Sequence, residues 1–195
     1  MKKSLILKRL WATIEKLVNL DPEQFSYSEL VSEGNTEKVC GTVCCVAGWY
    51  PKWFPKAELI WDLSYSSAGF IQGIDLYPVN NNISTNVSNK LSEYHGLNDD
   101  IIDFLFYGFI TNLQLTEKGL LVADQIEEYW KKDVYVYPDY SEDGVKYFQV
   151  EMARSTYSTL PEVIMGFRFM HYLIENDYIE DYSIKSFKKV ATTIV

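Results

Sequence analysis

Outside residues 40 to 45 this chain has no cysteine, and in 195 residues it has only two histidines, His95 and His171. Three cysteines, an odd number within six positions, cannot build a disulfide framework. A reducing cytoplasm is therefore the expected compartment. The Asn-x-Ser matches at Asn82 and Asn86 then carry no meaning. No apolar run approaches the ~20 residues that span a bilayer; Ile101 to Ile110 is too short and contains Asp103. Met1-Lys-Lys begins like a secretory leader, but Lys8 and Arg9 interrupt the apolar stretch after Leu7. There is no phosphate-cradling glycine loop, no Ser-His-Asp order and no paired-carboxylate motif. No cofactor is expected.

Basic residues are missing from the middle of the chain. Residues 58 to 130 contain eleven acids against two bases, Lys90 and Lys118, so this segment carries the whole net charge of −9. Such a surface repels nucleic acid and attracts basic proteins, or else serves as a solvated face that keeps the protein soluble. Lysines and arginines gather near the two ends (Lys2, Lys3, Lys8, Arg9; Lys185, Lys188, Lys189) without the density of a nucleic-acid groove.

Aromatic residues are abundant, at 15%, with 15 tyrosines and 10 phenylalanines. They give large buried areas, and tyrosine also serves wet interfaces. Size and composition fit one core, with or without an appended subdomain.

The periodicity predicts a mainly α protein, α+β at most. Leu5–Leu20 reads as an amphipathic helix with Leu7, Leu10, Trp11, Ile14, Leu17 and Val18 at helical spacing. Asp21-Pro22-Glu23 starts a short helix, with Phe25 and Leu30 turned inward. The all-apolar run from Val43 to Tyr50 predicts a buried helix capped by Thr42, ended by Pro51 and Pro55. Residues 64–82 read as irregular. Ser84 and Asn98 or Asp99 open further helices, and Thr116 a longer one to Lys132 carrying Leu120, Ala123, Ile126 and Trp130 inward. The period then shortens: Asp133–Tyr137 and Val145–Val150 predict a hairpin. Thr159 and Pro161 open a last strong helix to Glu175, and Ser183–Val195 is a terminal helix or strand. Residues 1–132 are thus expected to form a helical core domain, with 133–195 as a hairpin-plus-helix appendage packed on it.

The string Cys40-Gly-Thr42-x-x-Cys44-x-x-Gly-Trp49 resembles the core motif of a group of small uncharacterised bacterial and phage proteins. Asp21-Pro22-Glu-Gln-Phe25 upstream, and Gly96-Leu97 and Leu105-Phe106 downstream, extend the resemblance over roughly Leu10 to Trp130. The chain departs from that pattern at His95 and in everything after Asp133. The resemblance implies a fold and a bacterial or phage origin, and no reaction.

Chemistry at the cysteines has two readings. Cys40 at a helix start would feel the helix dipole and favour thiolate, with Thr42 and nearby amides binding an anion. A cysteine enzyme also needs a base, and no signature brings His95 or His171 to Cys40. Otherwise Cys40 and Cys44 are small buried residues where backbones pack closely. Cys-x3-Cys with no second pair is not a zinc knuckle, and Asp139–Gly144 fits the start of a calcium loop but has Val150 where a bidentate glutamate is required. No metal is expected. The candidate binding residues are Cys40, Thr42, Trp49, Trp53, Asp99, Asp100 and Asp103, with no catalytic set. The expected function is non-enzymatic protein binding, in concrete form a phage accessory protein that inhibits a host defence protein. A small cysteine-dependent enzyme or an anion- or small-ligand-binding protein using Cys40 is the alternative. A protein partner is expected, nucleic acid and membrane are not, and a homo-oligomer is left open.

Overall fold

The computed structural model describes residues 1–25, 32–33, 42–43, 45–65, 71–79, 87–108, 111–130, 136–140, 146–150 and 159–184. Cys40, Cys44, Leu30, Ser84, most of the Asp139–Gly144 turn and the tail after 184 lie outside them. The fold is mainly helical with small antiparallel sheets. In chain order the elements are α1 (Lys3–Val18), β1 (Ser32–Glu33), β2 (Thr42–Val43), α2 (Tyr50–Trp53), β3 (Leu59–Tyr65), β4 (Ile71–Pro78), α3 (Val87–His95), α4 (Asp99–Tyr107), β5 (Thr111–Gln114), α5 (Glu117–Leu121), α6 (Ala123–Trp130), β6 (Val136–Tyr140), β7 (Lys146–Val150) and α7 (Leu160–Glu175). No helix among the described residues is long and apolar enough to cross a membrane.

Two helices of 16 residues, α1 and α7, form the spine and pack along each other. The start of α7 is specified by Thr159, which accepts a bond from the third helical residue, while Glu162 reaches back to the Thr159 amide. This is a capping box, and Pro161 sits where a missing N–H costs nothing. Val163, Phe167, Met170, Leu173 and Ile174 of α7 then meet Ile6, Leu10, Ile14 and Leu17 of α1 in one core. Each of these fully buried side chains contributes about 1.5–3 kcal/mol of transfer free energy. The buried stripe of α1 differs from the predicted one: Ile6 and Thr13 are inside, whereas Trp11 and Val18 are about half exposed. Trp11 instead covers the His171 ring, with centroids 5.5 Å apart.

The predicted hairpin exists as β6 and β7, paired from Tyr140↔Lys146 to Val136↔Val150. A third strand, β5, joins the other edge of β7 with Leu113 opposite Phe148, giving the order β5-β7-β6. Phe148 and Val150 are buried in the same cluster as α1 and α4. The segment after residue 132 therefore shares its core with what precedes it.

Three expectations are corrected. Residues 64–65 and 71–78, expected to be irregular, belong to the antiparallel ribbon β3–β4, registered from Leu59↔Pro78 to Tyr65↔Ile71. The helix expected from Val43 to Tyr50 is absent: Val43 lies in β2, Ala47–Trp49 is a single 3₁₀ turn, and the helix is α2, with Pro51 in its first turn. Proline has φ preset for a helix start and no N–H to lose there, so it opened a helix instead of closing one. Burial was read correctly, since Cys45 through Tyr50 are all inside. Finally, the long helix after Thr116 breaks at Val122 into α5 and α6, which leaves Leu120 exposed while Ile126 and Trp130 stay buried.

Candidate functional site

Four places in the fold hold the chemistry worth weighing. The first is the tryptophan region. Trp49 is buried and stacks on the half-buried Trp53, with centroids 5.5 Å apart and planes 11° apart. Trp61 donates its indole N–H to the Gly48 carbonyl at 2.7 Å, tying the ribbon to the 3₁₀ turn. The Trp49 N–H has no acceptor among the described residues. The two expected ligand-binding rings thus use one face each on one another. Thr42 lies in β2, and Cys40 lies outside the described residues. Cys45, the cysteine that is described, is buried, and burial pushes its thiol up. A raised pKa makes the thiolate scarce and the residue inert.

The second place holds the predicted acids. Asn98 caps α4, accepting from the Ile101 amide at 2.9 Å while its NH₂ donates to the Asp181 carbonyl at 2.6 Å. Asp99 and Asp103 stand one turn apart on α4, and Ser88 and Ser92 one turn apart on α3. Ser92 Oγ donates to Asp99 at 2.5 Å, and Ser88 Oγ donates to Asp103 at 3.2 Å. The two pairs form a ladder that joins the helices. Asp103 is half-buried there, and burial raises its pKa. Asp100 is exposed and stands outside the ladder. Asp99 is exposed as well, and the charges of Asp99 and Asp100 are lesser causes of the raised Asp103 pKa. Beside the ladder lies a cavity of about 520 Å³ bounded by Asn89, Glu93, Asp99, Asp181, Ser183 and other residues. Its size suits a small molecule, and its carboxylates disfavour an anion.

The third place was not foreseen. His95, at the end of α3, is wholly buried, and its Nε2 is 2.6 Å from the Tyr50 hydroxyl. Tyr50 is in turn 2.9 Å from Thr13 Oγ1, which is 3.1 Å from the Arg9 carbonyl. Proton accounting fixes the directions. A carbonyl only accepts, so Thr13 donates to Arg9 and accepts from Tyr50. The single Tyr50 proton is then spent, and His95 Nε2–H must be the donor to Tyr50. The remaining ring atom, Nδ1, is a bare lone pair with no partner among the described residues. Leaving an acceptor unpaired in this way spares the costlier orphan, a buried N–H. Burial, with the Arg9 guanidinium as a lesser cause, holds the His95 pKa down at about 3. Tyr50 is raised well above its usual value, chiefly by burial. Around this chain Phe54, Tyr94 and Phe106 pack on the Tyr50 ring at 5.0–5.9 Å. Gly96, at φ +74°, then turns the backbone away, in a conformation that L side chains rarely adopt. The sequence did carry one signal: Thr13 is a polar residue on the apolar stripe of α1.

The fourth place is the surface of the acidic segment. Eleven large hydrophobic residues are exposed among the described residues, and seven of them fall between 58 and 130. They form two groups. Ile60, Trp61 and Tyr77 lie on the β3–β4 ribbon, with Ile60 directly opposite Tyr77 and Val79 just past its end. Leu120, Leu121 and Tyr129 lie on α5–α6. No three His, Cys, Asp or Glu side chains among the described residues converge to hold a metal.

Comparison with protein-family models, with curated proteins and with solved structures finds no match for this chain.

Proposed function

We propose that this chain is a non-enzymatic protein-binding protein, an accessory protein of bacterial or phage origin acting in the cytoplasm of the bacterial host. In its concrete form it inhibits a host defence protein. The observation that carries this reading is the coincidence of apolar exposure and negative charge. Seven exposed large hydrophobics share residues 58 to 130 with the entire net charge of −9. A docking surface needs both, because apolar anchors supply affinity and a field of one sign speeds encounter and rejects wrong partners. The motif around Cys40 and its likeness to bacterial and phage proteins support the origin.

The alternative, a cysteine-dependent enzyme, gains little from the histidines. His95 is committed to Tyr50, and a conjugate acid with a pKa near 3 makes a weak base at neutral pH. His171 pairs with Glu175 at 3.7 Å and lies under Trp11. A small-ligand reading is favoured by the cavity at Asp99, and its chemistry would be cationic or polar and uncharged. A rise in melting temperature with small amines, abolished in Asp99→Asn, would support that version.

The protein-binding reading is tested by capture from bacterial lysate with the wild-type chain and with variants that replace Ile60 or Leu121 by serine. A discrete partner, held by the wild type and released by salt or by one of these surface changes, is the expected result. A partner retained equally by all three chains would contradict it.

A further inference from the structure

We propose that the α5–α6 face, centred on Leu121 and Tyr129, is the docking site, and that its occupant is a basic amphipathic segment of another protein. This inference rests on the protein-binding reading and names the surface and the partner's chemistry.

The face is built rigidly. Thr116 caps α5 by accepting from the Gly119 amide at 2.9 Å, and its own hydroxyl donates to the Asp177 carbonyl at 2.7 Å. The Thr116 amide donates to the Tyr178 carbonyl at 3.0 Å, and Leu115 bridges Ile179. Gly119 lies so close to the Tyr178 backbone that a Cβ there would collide with the carbonyl. With Gly119 pressed inward, the opposite side of this short helix must face water. Leu121 occupies that side and is 87% exposed, the highest value of any large hydrophobic residue described. The backbone breaks at Val122, and α6 then brings Asp124, Glu128 and Tyr129 to the surface. Tyr129 is 47% exposed, yet its ring stacks on Tyr172 at 4.9 Å and 14°. An aromatic fixed in this way contacts a partner at little cost in conformational freedom.

Charge decides the occupant. Glu117 stands one turn before Leu121 on α5, Asp124 and Glu128 share α6 with Tyr129, and all three acids are exposed. The single base of this stretch, Lys118, is turned onto its own chain. It donates to the Asn176 carbonyl at 2.8 Å and lies 5.3 Å over the Tyr178 ring. The two helices, residues 117–130, carry four acids against this one base, a net charge of −3 that is complementary to lysines and arginines spaced around an apolar anchor. The ribbon is the weaker candidate, because Trp61 there is spent on Gly48.

The test titrates the full chain against two fluorescent peptides, one a Lys/Leu amphipathic helix and the other its Glu/Leu counterpart, and reads anisotropy. Leu121→Ser, at a position so exposed, leaves the fold intact. The Lys/Leu peptide should bind and the Glu/Leu peptide should not. Leu121→Ser and Glu128→Lys should each weaken binding about tenfold or more, Glu128→Lys should lessen its salt dependence, and Ile60→Ser should change nothing. Equal binding by wild type and Leu121→Ser would overturn the site. If Ile60→Ser is the damaging change, this face is wrong and the protein-binding reading survives. If the Lys/Leu peptide fails to bind the wild type at all, and lysate capture fails too, both fall. A wild-type dimer in sedimentation that Leu121→Ser dissolves would make the face a self-association surface and refute the basic partner.

Discussion

Lowering the pH from 7.5 to 5 should destabilise this protein largely through one residue, His95. In the unfolded chain its pKa is the ordinary 6.5, and in the fold it is about 3. Below pH 6.5 the unfolded state takes up a proton that the folded state refuses, so stability falls with pH. The stability is fully present above 6.5 and is lost progressively towards 3. Between pH 7.5 and 5 the loss is about 2 kcal/mol, and by pH 3 it reaches about 4 kcal/mol. The figure at pH 5 hardly depends on how far below 4 the folded value lies, because the unfolded value sets it. Other groups titrate nearby. His171 is also lowered by burial and acts in the same direction, partly offset by Glu175. Asp103 is raised by burial and acts oppositely. Comparison with His95→Gln removes both, since glutamine keeps an N–H for Tyr50 and cannot titrate. Urea unfolding followed by tryptophan fluorescence at pH 7.5, 6 and 5 should show a wild-type stability that falls about 2 kcal/mol more steeply than that of His95→Gln. Parallel pH profiles for the two chains would refute the burial of an uncharged His95.

Four further outcomes are expected. Tyr50→Phe should cost about 1–3 kcal/mol in urea unfolding, because it strands His95 Nε2–H and takes the donor from Thr13; a double-mutant cycle with Thr13→Val should show coupling. Gly119→Ala should cost about 1–3 kcal/mol through its clash with the Tyr178 carbonyl, and it should also weaken binding at Leu121, as read by the peptide titration. Trp130→Ala should cost about 3–5 kcal/mol, since the ring is wholly buried 4.1 Å from Phe169. Cys45 should resist a thiol reagent at pH 8 in the native protein and react once urea unfolds it, as mass spectrometry of the labelled peptide would show.

Local signals in the sequence reached the elements that depend on local chemistry. Asp21 caps the turn at Pro22, Asn98 caps α4, Thr159 and Pro161 open α7, and alternation marks β6 and β7. What escaped depends on distant partners. Thr111–Gln114 is too short and too polar to announce a strand, and it becomes one because β7, more than thirty residues later, offers an edge. The ribbon β3–β4 was hidden by Gly73 and Asp75, which dilute its alternation. In the cysteine segment the all-apolar pattern reported burial and said nothing of backbone shape, so Pro51 was read as a stop when it was a start. The acidic middle was legible as charge, but its orientation was not. Asp99 and Asp103 accept bonds from Ser92 and Ser88, while Glu58, Glu93, Asp100, Glu117, Asp124 and Glu128 are exposed. A leucine as exposed as Leu121 cannot be told from a core leucine without the break at Val122.

The central claim, protein binding through the acidic and apolar middle of the chain, is tested most directly by one comparison. Bacterial lysate is passed over the immobilised wild-type chain and over an Ile60→Ser/Leu121→Ser double variant, at low and at high salt. The account predicts a discrete partner on the wild type, eluted by salt and missing from the variant. The same partner on both chains, at both salt concentrations, would contradict it.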